Sequence, residues 1–166
     1  MKNPETVKYL NIMIDSLNKK KGLFETLLAK TEAQNDCITG KDHEQANWAQ
    51  FEVLMIEKES TIKIIDELDA GFEQVFERVK PELDSNKDEY AKEIKDLQES
   101  ISILTDLGVK IAAQEERNRQ EIDRIMTAAK AGIGKARKNM KATSGYITSM
   151  YGAGNSLDAT KIDSKK

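Results

Sequence analysis

The chain carries one histidine, His43, and one cysteine, Cys37, the residue types most suited to metal binding and nucleophilic chemistry. A di-iron carboxylate centre in a helical bundle takes two Glu-x-x-His pairs and two further carboxylates, so a single histidine excludes it. His43, followed by Glu44 beside a glycine turn, reads as a solvated residue and not as a metal ligand. Cys37 would act as a nucleophile only beside a base and in positive, partly exposed surroundings. Nothing in its neighbourhood pairs it with His43, and a half-buried structural thiol is expected. The run Gly132-Ile133-Gly134-Lys135 resembles a phosphate loop, yet Ala129 and Ala136 stand where that pattern needs Gly and Ser or Thr, and no strand precedes it. The many Asp and Glu residues fall at helical spacings with partners such as Glu59 with Lys63 and Asp106 with Lys110, the signature of solvated helix faces. No catalytic residue, metal or cofactor is expected, and the chain does not read as an enzyme.

What the sequence does specify is long helices. Of its 166 residues 33% are charged and only 5% aromatic, with two prolines, a composition that favours a helical rod over a compact mixed fold. Residues 88–141 form one amphipathic pattern through Ile94, Leu97, Ile101, Leu104, Ile111, Ile122, Ile125, Ala129, Ile133, Ala136 and Met140, in steps of three and four. At about 1.5 Å per residue such a helix reaches roughly 80 Å. Two more helices must lie along it. The first is predicted over residues 4–38, with Asn3 as cap and Pro4 at the first position. Its seam runs from Val7, Leu10 and Ile14 to Leu28 and Thr31. The second is predicted over residues 43–80, opened by a cap near Asp42 and stopped at Pro81. Lys58 lies on its seam, where a polar residue fixes register at some cost in stability. The expected fold is all-α: an elongated, antiparallel three-helix bundle, coiled-coil-like, with a long third helix. Residues 1–141 make one domain and residues 142–166, rich in Gly, Ser, Thr and Lys, a flexible tail.

Short connections make neighbouring helices antiparallel, so the first and third run parallel from the same end. Counting along them, the bundle runs out between Asp123 and Lys130, while the apolar stripe continues. That end is also basic: residues 123–166 carry nine Lys and Arg against three Asp and Glu, whereas residues 48–90 carry five against twelve. From Lys130 to Lys141 there is no acidic residue. Aromatic residues are absent from this segment, which disfavours membrane-surface and single-stranded nucleic-acid binding, and a protein partner is expected. Gly132 and Gly134 lower helix propensity here by about 1 kcal/mol each. No apolar run reaches the length of a membrane span and none at the start forms a signal peptide, so a cytoplasmic location is expected. The alternative reading is a structural coiled-coil adaptor that self-associates through its C-terminal helix.

Several segments, in order, resemble the FlgN family of flagellar export chaperones: Leu23-Phe24-Glu25-Thr26-Leu27-Leu28 with Thr31 and Gln34, Asp42-His43-Glu44, Glu57-Lys58-Glu59, Ile65-Asp66-Glu67-Leu68-Asp69, Ile111 to Asn118 with its Glu-x-x-Asn, and the ending Ile162-Asp163-Ser164-Lys165-Lys166. The resemblance implies a cytoplasmic type III export chaperone. Such a protein binds the C-terminal helical segments of hook-associated (hook-filament junction) proteins, prevents premature assembly and delivers them to the flagellar export apparatus. It assigns cargo binding to Ile122, Ile125, Met126, Ala129, Ile133, Ala136 and Met140, and docking to the export gate to Tyr146 and Tyr151. It implies no nucleic acid, no stable membrane insertion, and a monomer or weak dimer. Gly132 and Gly134 depart from what a binding helix ordinarily contains.

Overall fold

A computed structural model describes residues 2–151, with the side chains of residue 143 and of 146–151 excepted. It contains three α-helices and, among the described residues, no strand: α1 Pro4–Ile38, α2 Trp48–Ser85 and α3 Ala91–Tyr151. α1 begins as its sequence dictates. The Asn3 side chain accepts a hydrogen bond from the Glu5 amide at 2.9 Å, which satisfies one of the donors left over at a helix start. Pro4 follows, where a missing amide proton costs nothing.

α2 begins later than expected. The Asp42 carboxylate accepts from the Glu44 and Gln45 amides, so the capping signal is genuine, but it closes only one turn. The Asn47 amide then bonds to the Cys37 carbonyl at 2.9 Å, and the Asn47 side chain caps the helix proper through the Gln50 amide. At its other end α2 does not stop at residue 80. Pro81 sits inside the helix, and burial of Val79 and Leu83 on either side in the core holds the segment helical despite the lost backbone bond. α3 accordingly starts at Ala91, not at residue 88, and it continues through Tyr151, past the end at 141 that the composition suggested. Of the tail read as flexible, the first ten residues are helical and residues 152–166 lie outside the described chain.

α1 is the central helix: it packs against both α2 and α3, which do not pack their backbones against each other. Inter-helix bonds fix the directions. Lys20 meets Asp69 at 2.6 Å, Arg78 reaches the Tyr9 hydroxyl at 2.9 Å, and Lys30 pairs with Glu57, so α1 and α2 are antiparallel. Lys2 meets Glu93, Asn35 meets Asn118, and the Gly40 amide meets Glu121, so α1 and α3 are parallel.

The core has two apolar blocks. One gathers Leu10, Met13, Leu17, Val79, Leu83, Tyr90, Leu97 and Leu104; the other gathers Cys37, Ile38, Ala46, Leu54 and Ile125. Between them lies a polar layer. Lys58, buried as a whole residue, donates to the Gln34 amide oxygen at 2.7 Å and to the Glu115 carboxylate. Asn118, 2% exposed, donates to the Thr31 carbonyl at 2.9 Å and accepts from Asn35 and Gln114. Burying polar groups is tolerable only when each finds a partner, and here the partners come from all three helices.

Two outcomes test this architecture. Asn118→Ala strands the buried donors and acceptors around it, and urea unfolding should show a loss of about 1–3 kcal/mol. Burial pushes the Cys37 thiol above its ordinary pKa, so at neutral pH a thiol reagent should modify Cys37 far more slowly in the folded protein than in the same protein unfolded in urea.

Candidate partner-binding surface

The bundle ends where the lengths of its helices end it. α1 stops at Ile38, the turn through residues 39–47 reverses the chain, and α3 passes this turn at Gly40 and Lys41. The Glu121 carboxylate accepts from the Gly40 amide at 3.0 Å and from the Arg124 guanidinium at 2.6 Å, while Arg124 also donates to the Lys41 carbonyl at 2.8 Å. Chiefly through Arg124, these bonds hold the Glu121 carboxyl below its usual pKa. Arg124 is thus engaged in closing the bundle. Beyond it, residues 126–151 form an overhang of about 39 Å, at 1.5 Å per residue.

The seven residues assigned to partner contact divide at that point. Ile125 is 1% exposed, in the second apolar block, and Ile122 packs half-buried against the same block. Ile125 belongs to the chain's own core, and the expectation that it contacts a partner is corrected accordingly; Ile122 lies on the bundle side of the same end. The end of the bundle thus falls inside the interval from Asp123 to Lys130 that the register count gives, and the stripe assigned to a partner reaches back across it. Met126 is 37% exposed, Ile133 55% and Met140 42%; Ala136 is exposed and Ala129 half-buried. Among the described residues these five form one apolar face, open to solvent except where Ala129 is half-buried. Tyr146 and Tyr151 lie on the helix, with side chains outside the described residues.

The surface is a groove as well as a stripe. Asp42, His43 and Glu44 form a wall at its root, facing Ile125, Ala128, Ala129, Gly132, Ile133 and Ala136 on α3. The side chains on α3 here are mostly alanine or absent, so another backbone can approach closely. His43 stacks near Trp48, with ring centroids 5.8 Å apart, and the Trp48 indole donates to the His43 carbonyl at 2.9 Å. The turn is therefore built, not loose. The sequence reading treated His43 as solvated, which it is, and missed that its turn lines the groove. The signal available was the register count itself, which places residue 43 beside the end of the bundle.

Lys130, Lys135, Arg137, Lys138 and Lys141 surround the stripe with positive charge and no carboxylate among them. The preceding turns of α3 differ, because there Arg119 bonds to Glu116 at 2.6 Å and to Asp123 at 2.7 Å, and Arg124 to Glu121 at 2.6 Å. Those bonds lower the Glu116 pKa and raise that of Arg119. Among the described residues, the ion pairs within α3 all lie on the bundle side of Ile125. Among the described residues no group of three or more His, Cys, Asp or Glu could hold a metal ion, and no helix is long and apolar enough to cross a membrane.

The boundary at residue 125 has a direct readout. Ile125→Ala should destabilise the fold by about 2–4 kcal/mol, whereas Ile133→Ala should stay within about 0.5 kcal/mol of wild type in the same thermal unfolding experiment. Gly132 and Gly134 have open space where a Cβ would stand. Replacing both by Ala should raise the helical content seen by circular dichroism, each change favouring the helix by about 1 kcal/mol. Comparison with known proteins places the chain in no group: no family model, no curated protein and no solved structure matches it.

Proposed function

We propose that this chain is a non-catalytic, cytoplasmic export chaperone of the FlgN type, which holds the C-terminal helical segment of a hook-filament junction protein and delivers it to the flagellar export apparatus. The observation that carries this reading is the exposed stripe of the overhang, Met126, Ala129, Ile133, Ala136 and Met140. A protein that polymerises through apolar helix faces must have those faces covered until it assembles, and an amphipathic helix laid in a groove provides such a cover. At roughly 25 cal/mol per Å² of apolar area, covering two or three of these side chains yields several kcal/mol. That is enough for a reversible complex and small enough to permit release. The order of segments that resemble the family supports the same assignment, as does an overhang free of acidic residues, which draws an acidic partner by long-range attraction. In this reading the residues that contact cargo are the five beyond Ile125, with Asp42, His43 and Glu44 at the root of the seat. Tyr146 and Tyr151 are the positions proposed to meet the export gate.

The test is a titration of a junction-protein C-terminal peptide against the full chain by calorimetry or fluorescence anisotropy. Ile133→Asp with Met140→Asp should weaken binding by roughly a hundredfold and leave the thermal midpoint in place. Unchanged affinity in that variant would remove the overhang from the recognition of cargo.

A further inference from the structure

A second unpartnered surface lies on the body of the rod. Because α2 and α3 both pack on α1 and meet each other through side chains, as Lys58 meets Glu115, without close backbone contact, a groove runs between them. Leu17 and Phe24 of α1 form its floor, Asp69 and Phe72 of α2 one wall, and Ile101, Leu104 and Gly108 of α3 the other. Seven-residue spacing extends the α2 wall from Asp69 to Met55, Ile62 and Phe76, all three exposed, and Ile101 opposite is exposed as well. A helix would fill this channel and turn the open three-helix section into a four-helix one. The chemistry of that helix follows from α2. Glu52, Glu59, Asp66 and Glu73 stand seven residues apart on its solvent side, all exposed, in a region with twelve acidic and five basic residues. The occupant is apolar on one side and basic on the rest.

This chain supplies one such helix itself. The overhang is apolar at Met126, Ile133 and Met140 with the same seven-residue spacing, is basic around them, and at about 39 Å matches the roughly 32 Å from Met55 to Phe76. It cannot fold back along its own α3, of which it is the straight continuation, and two overhangs laid face to face would bring their positive charges together. We propose that the occupant is the overhang of a second copy, exchanged reciprocally. Two rods meet turn to turn about a twofold axis, and each α3 runs past its own bundle end into the α2–α3 groove of the other, parallel to the partner's α2 and antiparallel to its α3. The contact is closed, as a twofold dimer requires, and it covers both unpartnered surfaces at once. It is a resting state in which the overhang is sheltered, and any helix that binds the overhang competes with it. The proposal stands without the chaperone reading, since it concerns the chain alone.

Sedimentation equilibrium on the full chain tests it. Wild type should show a concentration-dependent monomer–dimer equilibrium that weakens roughly tenfold or more when salt is raised from about 0.05 M to 0.5 M. One variant reverses the overhang (Lys130→Glu, Arg137→Glu, Lys138→Glu) and another reverses α2 (Glu59→Lys, Asp66→Lys, Glu73→Lys). Each alone should be monomeric with an unchanged circular dichroism spectrum, and an equimolar mixture of the two should dimerise, because each then presents the charge that the other lacks. A wild-type chain that stays monomeric to about 1 mM would overturn the proposal. So would a dimer untouched by reversal of α2, which would mean that overhangs pair with each other, or a mixture that fails to associate.

Discussion

The structure depends on one buried contact, in which the Lys58 ammonium of α2 lies between the Gln34 amide of α1 and the Glu115 carboxylate of α3. Apolar seams alone allow long helices to slide, since a shift of seven residues replaces one set of leucines with another at modest cost. A buried cation does not slide, because a misplaced Lys58 would have no acceptor and an uncompensated charge in the core costs several kcal/mol. Asn118, bonded to the Thr31 carbonyl four residues earlier along α1 than Asn35, which it also meets, holds the other pair of helices in the same way. The register of α3 against α1 is thereby set, and with it the residue at which α1 gives out. The length of the overhang is a result of this polar layer as much as of the length of α3.

Register also explains where the charges are neutralised and where they are not. Along the bundle, acids and bases face one another across helix boundaries, as Lys20 does Asp69 and Lys2 does Glu93, or within a turn, as Arg119 does Glu116. Exposed pairs of this kind contribute little stability individually. Their effect is rather to leave most of the rod electrically quiet, so that the two regions with an excess of one sign, α2 and the overhang, dominate what approaches. Oppositely charged apolar surfaces on the same rod make association a question of which partner is nearer and more concentrated.

Much of this was legible in the sequence because long helices repeat their signals. Asn3 and Pro4 fixed the start of α1 from local chemistry, and the count of residues along the helices located the end of the bundle. What misled were signals whose outcome is decided by distant packing. Asp42 is a good capping residue and caps, but Asn47, with Trp48 and Ala46 packed against the core, captured the helix start. Pro81 is a helix terminator in isolation, yet Val79 and Leu83 bury themselves on either side of it. Ile122 and Ile125 follow the same periodicity as Ile133, and no pattern of residue types can tell a stripe that is covered from one that is not; only the position of the turn at residues 39–47 does. The groove between α2 and α3 was not legible, because no spacing of residue types shows that these two helices make no close backbone contact.

Directly after the turn that closes the bundle stands the chain's single tryptophan, the first residue of α2. Trp48 is fastened there by its indole bond to the His43 carbonyl and by the edge of the Phe51 ring, and its ring stands 5.8 Å from that of His43, which lines the groove root. Its indole emission, excited beyond the absorption of the four tyrosines, therefore arises at one end of the molecule, and the protein carries an intrinsic optical probe at the bundle's mouth.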